Sequence, residues 1–368
     1  MNILEKIESY LSDYVAFEDQ NILLALASWT VATHFFEDFD AFPYLVITSP
    51  TKRSGKTRLS ELLSFTSCNT KNFSAMTPST LFRVIDTEKD VRRWDREKEE
   101  NKTPTIVFDE AEALSSEGAS TMRAVLNVGY RKGQKIPRTV GQNVIEFNTY
   151  CPKIFILIGD VYDTLRDRSI VITMWRAEPK KRFSFDTVKT EANIIRKEFL
   201  PLIKTDSDIR QRIKQAYNDD RVDFLQDRDE EIWRSILAVA RVLAPGRYKE
   251  IQRTAVDLSA AKTADAKKFT NLNMFENDAE NDEYAVMLLK DLLKVINGDK
   301  NVFSEAALEK LKALDLSPWR KYRGDGLTLS KMADMLSRFG VSPVPVRQGG
   351  KVARGYKKEE VEEAVKGL

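Results

Sequence analysis

The sequence predicts an α/β protein with a phosphate-binding P-loop core, a parallel sheet between layers of helices. Three observations predict it. Tyr44-Leu45-Val46-Ile47-Thr48 is a short apolar, β-branched run that reads as a buried strand. Ser49-Pro50-Thr51-Lys52-Arg53-Ser54-Gly55-Lys56-Thr57-Arg58 follows as a polar loop, and its Gly-Lys-Thr opens an amphipathic helix with Leu59, Leu62 and Leu63 on one face. About fifty residues later, Thr105-Ile106-Val107-Phe108 delivers Asp109 and Glu110 to a strand's C-terminal end.

The residue types fit the chemistry of a nucleotide phosphate. Backbone N–H groups of such a loop curl around the β-phosphate, and the helix N-terminus adds its positive dipole end. Gly55 permits close backbone approach, Lys56 is a point charge for the β- and γ-phosphates, and the Thr57 hydroxyl is placed to ligate Mg²⁺. Asp109 is the second candidate Mg²⁺ ligand, and Glu110 is placed to polarise an attacking water. The expected cofactors are ATP and Mg²⁺. One position departs from the GxxxxGK[ST] pattern: Ser49-Pro50 stands where its first glycine belongs.

Composition narrows the rest. The chain has 368 residues, 42% hydrophobic and 31% charged, enough for a sizeable core and two or three domains. The net charge of +2 gives no global field for nucleic acid, so any such contact is local. Two cysteines, Cys68 and Cys151, make no disulfide framework and fit a reducing, cytoplasmic setting. His34 is the only histidine, which excludes histidine metal clusters and catalytic triads. No apolar run approaches the roughly 20 residues of a membrane span, and the N-terminus lacks the plan of a signal peptide.

In chain order, residues 1–40 read as a helical lead-in, with Ile3, Ile7, Tyr10 and Leu11 on one stripe and a second helix over 21–36. Residues 41–180 form the core. Within it, Thr77-Pro78 starts a helix, 87–102 is a charged insertion, and 121–127 is another helix. The segment 129–147 reads as a β-hairpin made basic by Arg131, Lys132, Lys135 and Arg138. From the residues alone it is either an ordinary solvated hairpin or a loop reaching nucleic acid. Apolar strands at 153–158 and 169–174 complete a parallel sheet covered on both faces. Arg168, just before the last strand, is a candidate arginine finger toward a neighbouring subunit's γ-phosphate, with an ion pair to Asp163 or Asp167 as the alternative. Residues 181–300 read as a helical lid, at whose entrance Arg228 is placed to reach back to the nucleotide or to remain a surface residue. Residues 301–368 read as a winged-helix-like module: a capped helix from Leu327, a hairpin at 344–356 carrying Arg347, Lys351 and Arg354, and a last helix.

Together these pieces resemble the AAA+ superfamily, and most of all an uncharacterised group of AAA+-like ATPase domains of phages, plasmids and genomic islands. The matching stretches are Thr48-Ser49-Pro50 with Gly55-Lys56-Thr57, Asp109-Glu110-Ala111, Leu126-Asn127-Val128-Gly129-Tyr130-Arg131, Thr164-Leu165 with Asp167-Arg168-Ser169, and Gly349-Gly350-Lys351 with Gly355-Tyr356. A serine at the loop's first position is usual in that group. The resemblance spans nearly the whole chain except the charged insertion. It implies an AAA+ core with the P-loop strand central, a sensor-1 position at Gly159 or Asp160, of which Asp160 is preferred, and catalytic roles for Lys56, Glu110 and Arg168.

The basic hairpin is similar to the pre-sensor hairpin of minichromosome-maintenance-type and superfamily 3 replicative helicases. That likeness implies a homo-hexameric ring with single-stranded DNA gripped in the channel by Lys132, Lys135 and Arg138. It further implies duplex DNA held by the winged helix, and a primase or other replication proteins as partners. The expected function is an ATP-dependent DNA helicase or translocase of a mobile genetic element. The alternatives are a DNA-binding initiator or regulator that does not travel, and an ATPase that remodels protein.

Overall fold

The computed structural model describes all residues except 1, 18, 75, 92–102, 110, 112–119, 141, 160–161, 204–206, 220–221, 226, 270–278, 297, 315–317, 321, 323–325 and 349. Two compact units divide the chain. The first comprises Met1–Ser49, Arg53–Met174 and Glu178–Phe269; the second comprises Thr270–Leu368 with Pro50–Lys52 and Trp175–Ala177.

In the first unit, α1 (Ile3–Tyr14) starts with a reciprocal cap, in which Glu5 N–H donates to Asn2 Oδ1 and Asn2 N–H to Glu5 Oε2, both at 2.9 Å. α2 (Ile22–Ala32) is buried along its whole length, so its apolar residues show no stripe. The central sheet has β1 (Tyr44–Ser49), β2 (Lys71–Phe73), β3 (Ile106–Phe108), β6 (Lys153–Ile158) and β7 (Ser169–Thr173) in the order β2-β3-β6-β1-β7. Every pairing in it is parallel. β1 lies inside, between β6 and β7, and the strand ending at Phe108 runs in its direction, as the sequence predicts. Leu45 and Ile47 enter one apolar cluster, with α1 and α2, while Tyr44 and Val46 enter another. Both faces of the sheet are therefore covered by helices, which is why its inner strands β3, β6 and β1 are largely apolar.

The first face is covered by α1, α2, α3 (Lys56–Thr66), α7 (Phe185–Phe199), α8 (Asp208–Asp219) and α9 (Asp227–Leu243), all in one cluster. The lead-in and much of the expected lid thus share the core's apolar interior. α4 (Pro78–Val91), α5 (Ser120–Val128) and α6 (Asp163–Arg166) serve the second face. β4 (Lys135–Val140) and β5 (Asn143–Asn148) pair antiparallel as a separate ribbon. α10 (Tyr248–Phe269), absent from the sequence reading, packs on α9.

The second unit contains α11 (Ala279–Ile296), β8 (Asn301–Phe303), α12 (Ser304–Ala313), α13 (Leu329–Ser337), β9 (Val344–Gln348), β10 (Lys351–Lys357) and α14 (Lys358–Lys366). Its antiparallel sheet has the order β8-β10-β9. α11, which the sequence reading places in the lid, buries Leu288, Leu289, Leu292 and Ile296 against Leu311, Trp319, Met332 and Tyr356 of this unit. Asp291 on α11 accepts a hydrogen bond from the buried Trp319 Nε1 at 2.9 Å. No helix among the described residues is long and apolar enough to cross a membrane.

Candidate functional site

The P-loop turns at the C-terminal end of β1. Arg53 (φ 63°) and Gly55 (φ 88°) both adopt the left-handed conformation, and Gly55 sits directly before α3. Glycine takes that conformation without strain. It also offers no side chain to cap α3, leaving the first-turn N–H groups directed into the loop. Lys56 is buried, and its ammonium donates to Ser49 Oγ and, at 3.4 Å, to Ser54 Oγ. The ammonium is thus drawn across the loop, where a phosphate would lie. Ser49, the residue before Pro50 at the motif's first-glycine position, holds it there. Thr57 is exposed on the first turn of α3. Arg58 turns away, its guanidinium 4.3 Å from the centre of the Phe183 ring.

Neighbouring strands bring up the other groups. Asp109 follows β3, its N–H bonded to Phe73 O at 2.9 Å. Gly159 follows β6, its N–H bonded to Ser49 O at 2.9 Å and its carbonyl accepting from Thr48 Oγ1. Glu61, one helical turn beyond Thr57, has its carboxyl raised above the ordinary range by burial, against the pull of Arg58 and reinforced by the charge of Asp109. Sequence reasoning missed Glu61, although the four-residue spacing from Thr57 puts both on one face of α3. The residues present fit a magnesium nucleotide: a cationic cradle with uncapped helix amides, and the Asp109 carboxylate at the same end of the sheet, after β3. Glu110 and Asp160 lie outside the described residues.

Arg168 and Arg228 meet elsewhere. Arg168 precedes β7, and its carbonyl accepts from Tyr44 N–H at 3.1 Å, at the opposite end of β1 from the P-loop. Five steps of parallel strand separate those ends by roughly 17 Å. Arg168 donates to Asn127 O at 3.1 Å and Thr164 O at 2.5 Å, and lies 3.8 Å from Asp167. Arg228 joins it, bonding Tyr130 Oη, Glu231 at 2.7 Å and Asp167 at 3.4 Å. Arg228 therefore does not reach back to its own P-loop, because Asp167 and Glu231 hold it at the far end. Arg131, Arg168 and Arg228 all lie 5.2–5.5 Å from the centre of the Tyr130 ring.

The expected DNA-binding cations separate into two groups. Arg131 is paired with Glu231 and Lys132 donates to Glu37 O at 2.7 Å, so both sit at the foot of the β4–β5 ribbon. Lys135 pairs across the strands with Glu146 at 3.0 Å, and Arg138 stacks over Phe82 at 5.2 Å. Their commitment to these partners departs from the expected row of free channel cations. Arg347, Lys351 and Arg354 are exposed on the β9–β10 ribbon, and their side chains have no hydrogen-bonding or ionic partner among the described residues.

A buried lysine, unnoticed in the sequence, fixes the first ribbon's base. Lys153 donates to Gly129 O (3.3 Å), Thr149 O (2.8 Å) and Cys151 O (3.0 Å), and burial lowers its pKa. A Cβ at Gly129 would lie 2.8 Å from Thr149 O, so only glycine permits this approach. His34 is a packing residue, buried with Nε2 at 3.0 Å from Thr66 O.

Residues 175–367 match the family model described as a protein of unknown function, DUF3631. No curated protein matches the chain. Among solved structures, the JCV helicase bound to an acetamide ligand aligns with a TM-score of 0.29 and 13% identity, over 70% of this chain and 66% of that one. The chain thus spans just under two thirds of that helicase.

Proposed function

The chain belongs to that family of proteins of unknown function, and we propose that it is a magnesium-dependent ATPase of AAA+ type that works on DNA. The observation that carries the reading is the buried Lys56 ammonium drawn across an uncapped loop, between Ser49 and Ser54. The five-stranded parallel order β2-β3-β6-β1-β7 supports it, because it brings Asp109 and Gly159 to the strand ends beside the loop. In this reading Lys56 and the loop amides hold the phosphates, Thr57 and Asp109 hold Mg²⁺, and Glu110 orients the attacking water. Bound Mg²⁺ supplies charge neutralisation at the transferring phosphoryl group.

Arg168, about one strand length from its own loop, suits delivery to a neighbouring subunit in a hexameric ring, and the lid and winged-helix assignments belong to the same reading. For the DNA task, a translocase or helicase of a mobile element is the first choice. A second reading, an ATP-driven duplex binder that does not travel, is favoured by one observation. Among the described residues, the β9–β10 cations have no side-chain partner, whereas Lys135 pairs with Glu146 and Arg138 lies over the Phe82 ring. Glu110→Gln should retain a fluorescent ATP analogue at wild-type affinity while turnover stops. Undiminished turnover would remove Glu110 from its role.

A further inference from the structure

One carboxylate on α3 has neither a hydrogen bond nor an ion pair among the described residues, that of Glu61. It lies four residues beyond Thr57, and Ser64 follows three residues later, so the three share one face of the helix. The far end of that face is fixed, because Ser64 Oγ donates to Asn72 Oδ1 on β2 at 3.2 Å. α3 starts at the C-terminal end of β1 and runs back along the parallel strands. From Ser64 toward the loop, Glu61 lies about 4.5 Å higher and Thr57 about 10 Å higher. Asn72 is paired with Val107, from which two residues of chain climb about 7 Å to Asp109. Asp109 therefore comes level with the stretch of α3 between Glu61 and Thr57.

The surroundings of Glu61 do not compensate its charge. Arg58, one turn away, attracts it, but the Arg58 guanidinium lies over the Phe183 ring. Burial and the negative charge of Asp109 both act against an ionised Glu61. Half-buried carboxylates that oppose each other are unfavourable unless a cation is shared between them. We propose that Glu61 is a positioning residue for the divalent cation, holding it together with Asp109 and Thr57. The proposal rests on the magnesium-nucleotide reading and adds to it a group outside both the Gly-Lys-Thr turn and the Asp-Glu pair. Magnesium bound with a nucleotide is ordinarily held by one or two carboxylates besides the phosphates, and Glu61 supplies the second.

The test uses the full chain with ADP and Mn²⁺, the free ion being counted by electron paramagnetic resonance. Glu61→Gln should weaken Mn²⁺ binding about tenfold. Its affinity for a fluorescent ADP analogue in EDTA should match the wild type's. Its melting temperature without metal should be unchanged or higher, because the substitution removes one of two opposed charges. Asp109→Asn is the reference and should weaken Mn²⁺ binding at least as much. A Glu61→Gln protein with wild-type Mn²⁺ affinity overturns the proposal. So does one that loses nucleotide affinity equally in EDTA, or melts lower without metal, since either result makes Glu61 a structural partner of Arg58. If the wild type binds no Mn²⁺ with ADP, or if Asp109→Asn binds it normally, the magnesium reading fails first, and the proposal with it.

Discussion

In the β4–β5 ribbon each described cation has an internal partner: Lys135 has Glu146, and Arg138 has the Phe82 ring. In the β9–β10 ribbon, Arg347 and Arg354 share one face with Val352 and Pro345, and neither has an ionic partner among the described residues. The supports differ too. The first ribbon is held by side-chain stacking and by Lys153 beneath its feet, the second by direct backbone approach. A Cβ at Gly355 would lie 2.2 Å from Val302 O. Two hairpins of similar basic composition thus present different surfaces. Charge count alone therefore does not describe what a ribbon presents, because the partners of its cations differ from one ribbon to the other.

The largest effect should come from removing the brace. Phe82 is buried against Phe147, so Phe82→Ala should lower stability by about 3 kcal/mol, measured by urea unfolding. Duplex binding by the second ribbon should survive at low denaturant. A loss below about 1 kcal/mol would show that the ribbon does not depend on α4.

The charge side of the comparison is tested by Arg347→Gln, Lys351→Gln, Arg354→Gln together. Duplex affinity should fall roughly 10²-fold at about 0.1 M salt, and the slope of log affinity against log salt should become shallower by about 2–3. An unchanged slope would mean that these free cations do not meet phosphates.

Glu231 sharpens the comparison at smaller scale, since it anchors Arg131 at the first ribbon's foot. Burial raises its pKa, but hydrogen bonds from Arg131 and Arg228 outweigh burial and hold it below the ordinary carboxylate range. A depressed folded-state pKa contributes stability above the unfolded value, and that stability is lost as pH falls through the folded value. Glu231→Gln should therefore cost about 1–2 kcal/mol at neutral pH, and the difference from wild type should shrink in acid. A gap that stays constant from neutral to acid pH would contradict the ion-pair account.

The sequence made the P-loop legible because its signal is local: an apolar run, a polar turn, and Gly-Lys-Thr opening an amphipathic helix. Four of the five strands of the parallel sheet were legible for the same reason, each being a short apolar run. β2 was missed because Lys71-Asn72-Phe73 has no such run. α10 was missed because its apolar positions are thinly spread among alanines and charges. What decides whether a cation is free was not legible at all. Arg131 meets Glu231 from one hundred residues away, and Arg138 meets Phe82 on a different element. Arg228 likewise read as either a nucleotide contact or a surface residue, and neither reading named Asp167 and Glu231, which hold it.

The measurement that tests the account most directly is ATP hydrolysis with Mg²⁺ by the wild type and by Lys56→Ala, with folding checked by circular dichroism. The wild type should hydrolyse ATP, and the variant should be slower by at least about 10²-fold, since the ammonium that spans the loop has been removed. A correctly folded Lys56→Ala protein that turns over ATP at the wild-type rate would contradict the assignment of this loop as the phosphate site.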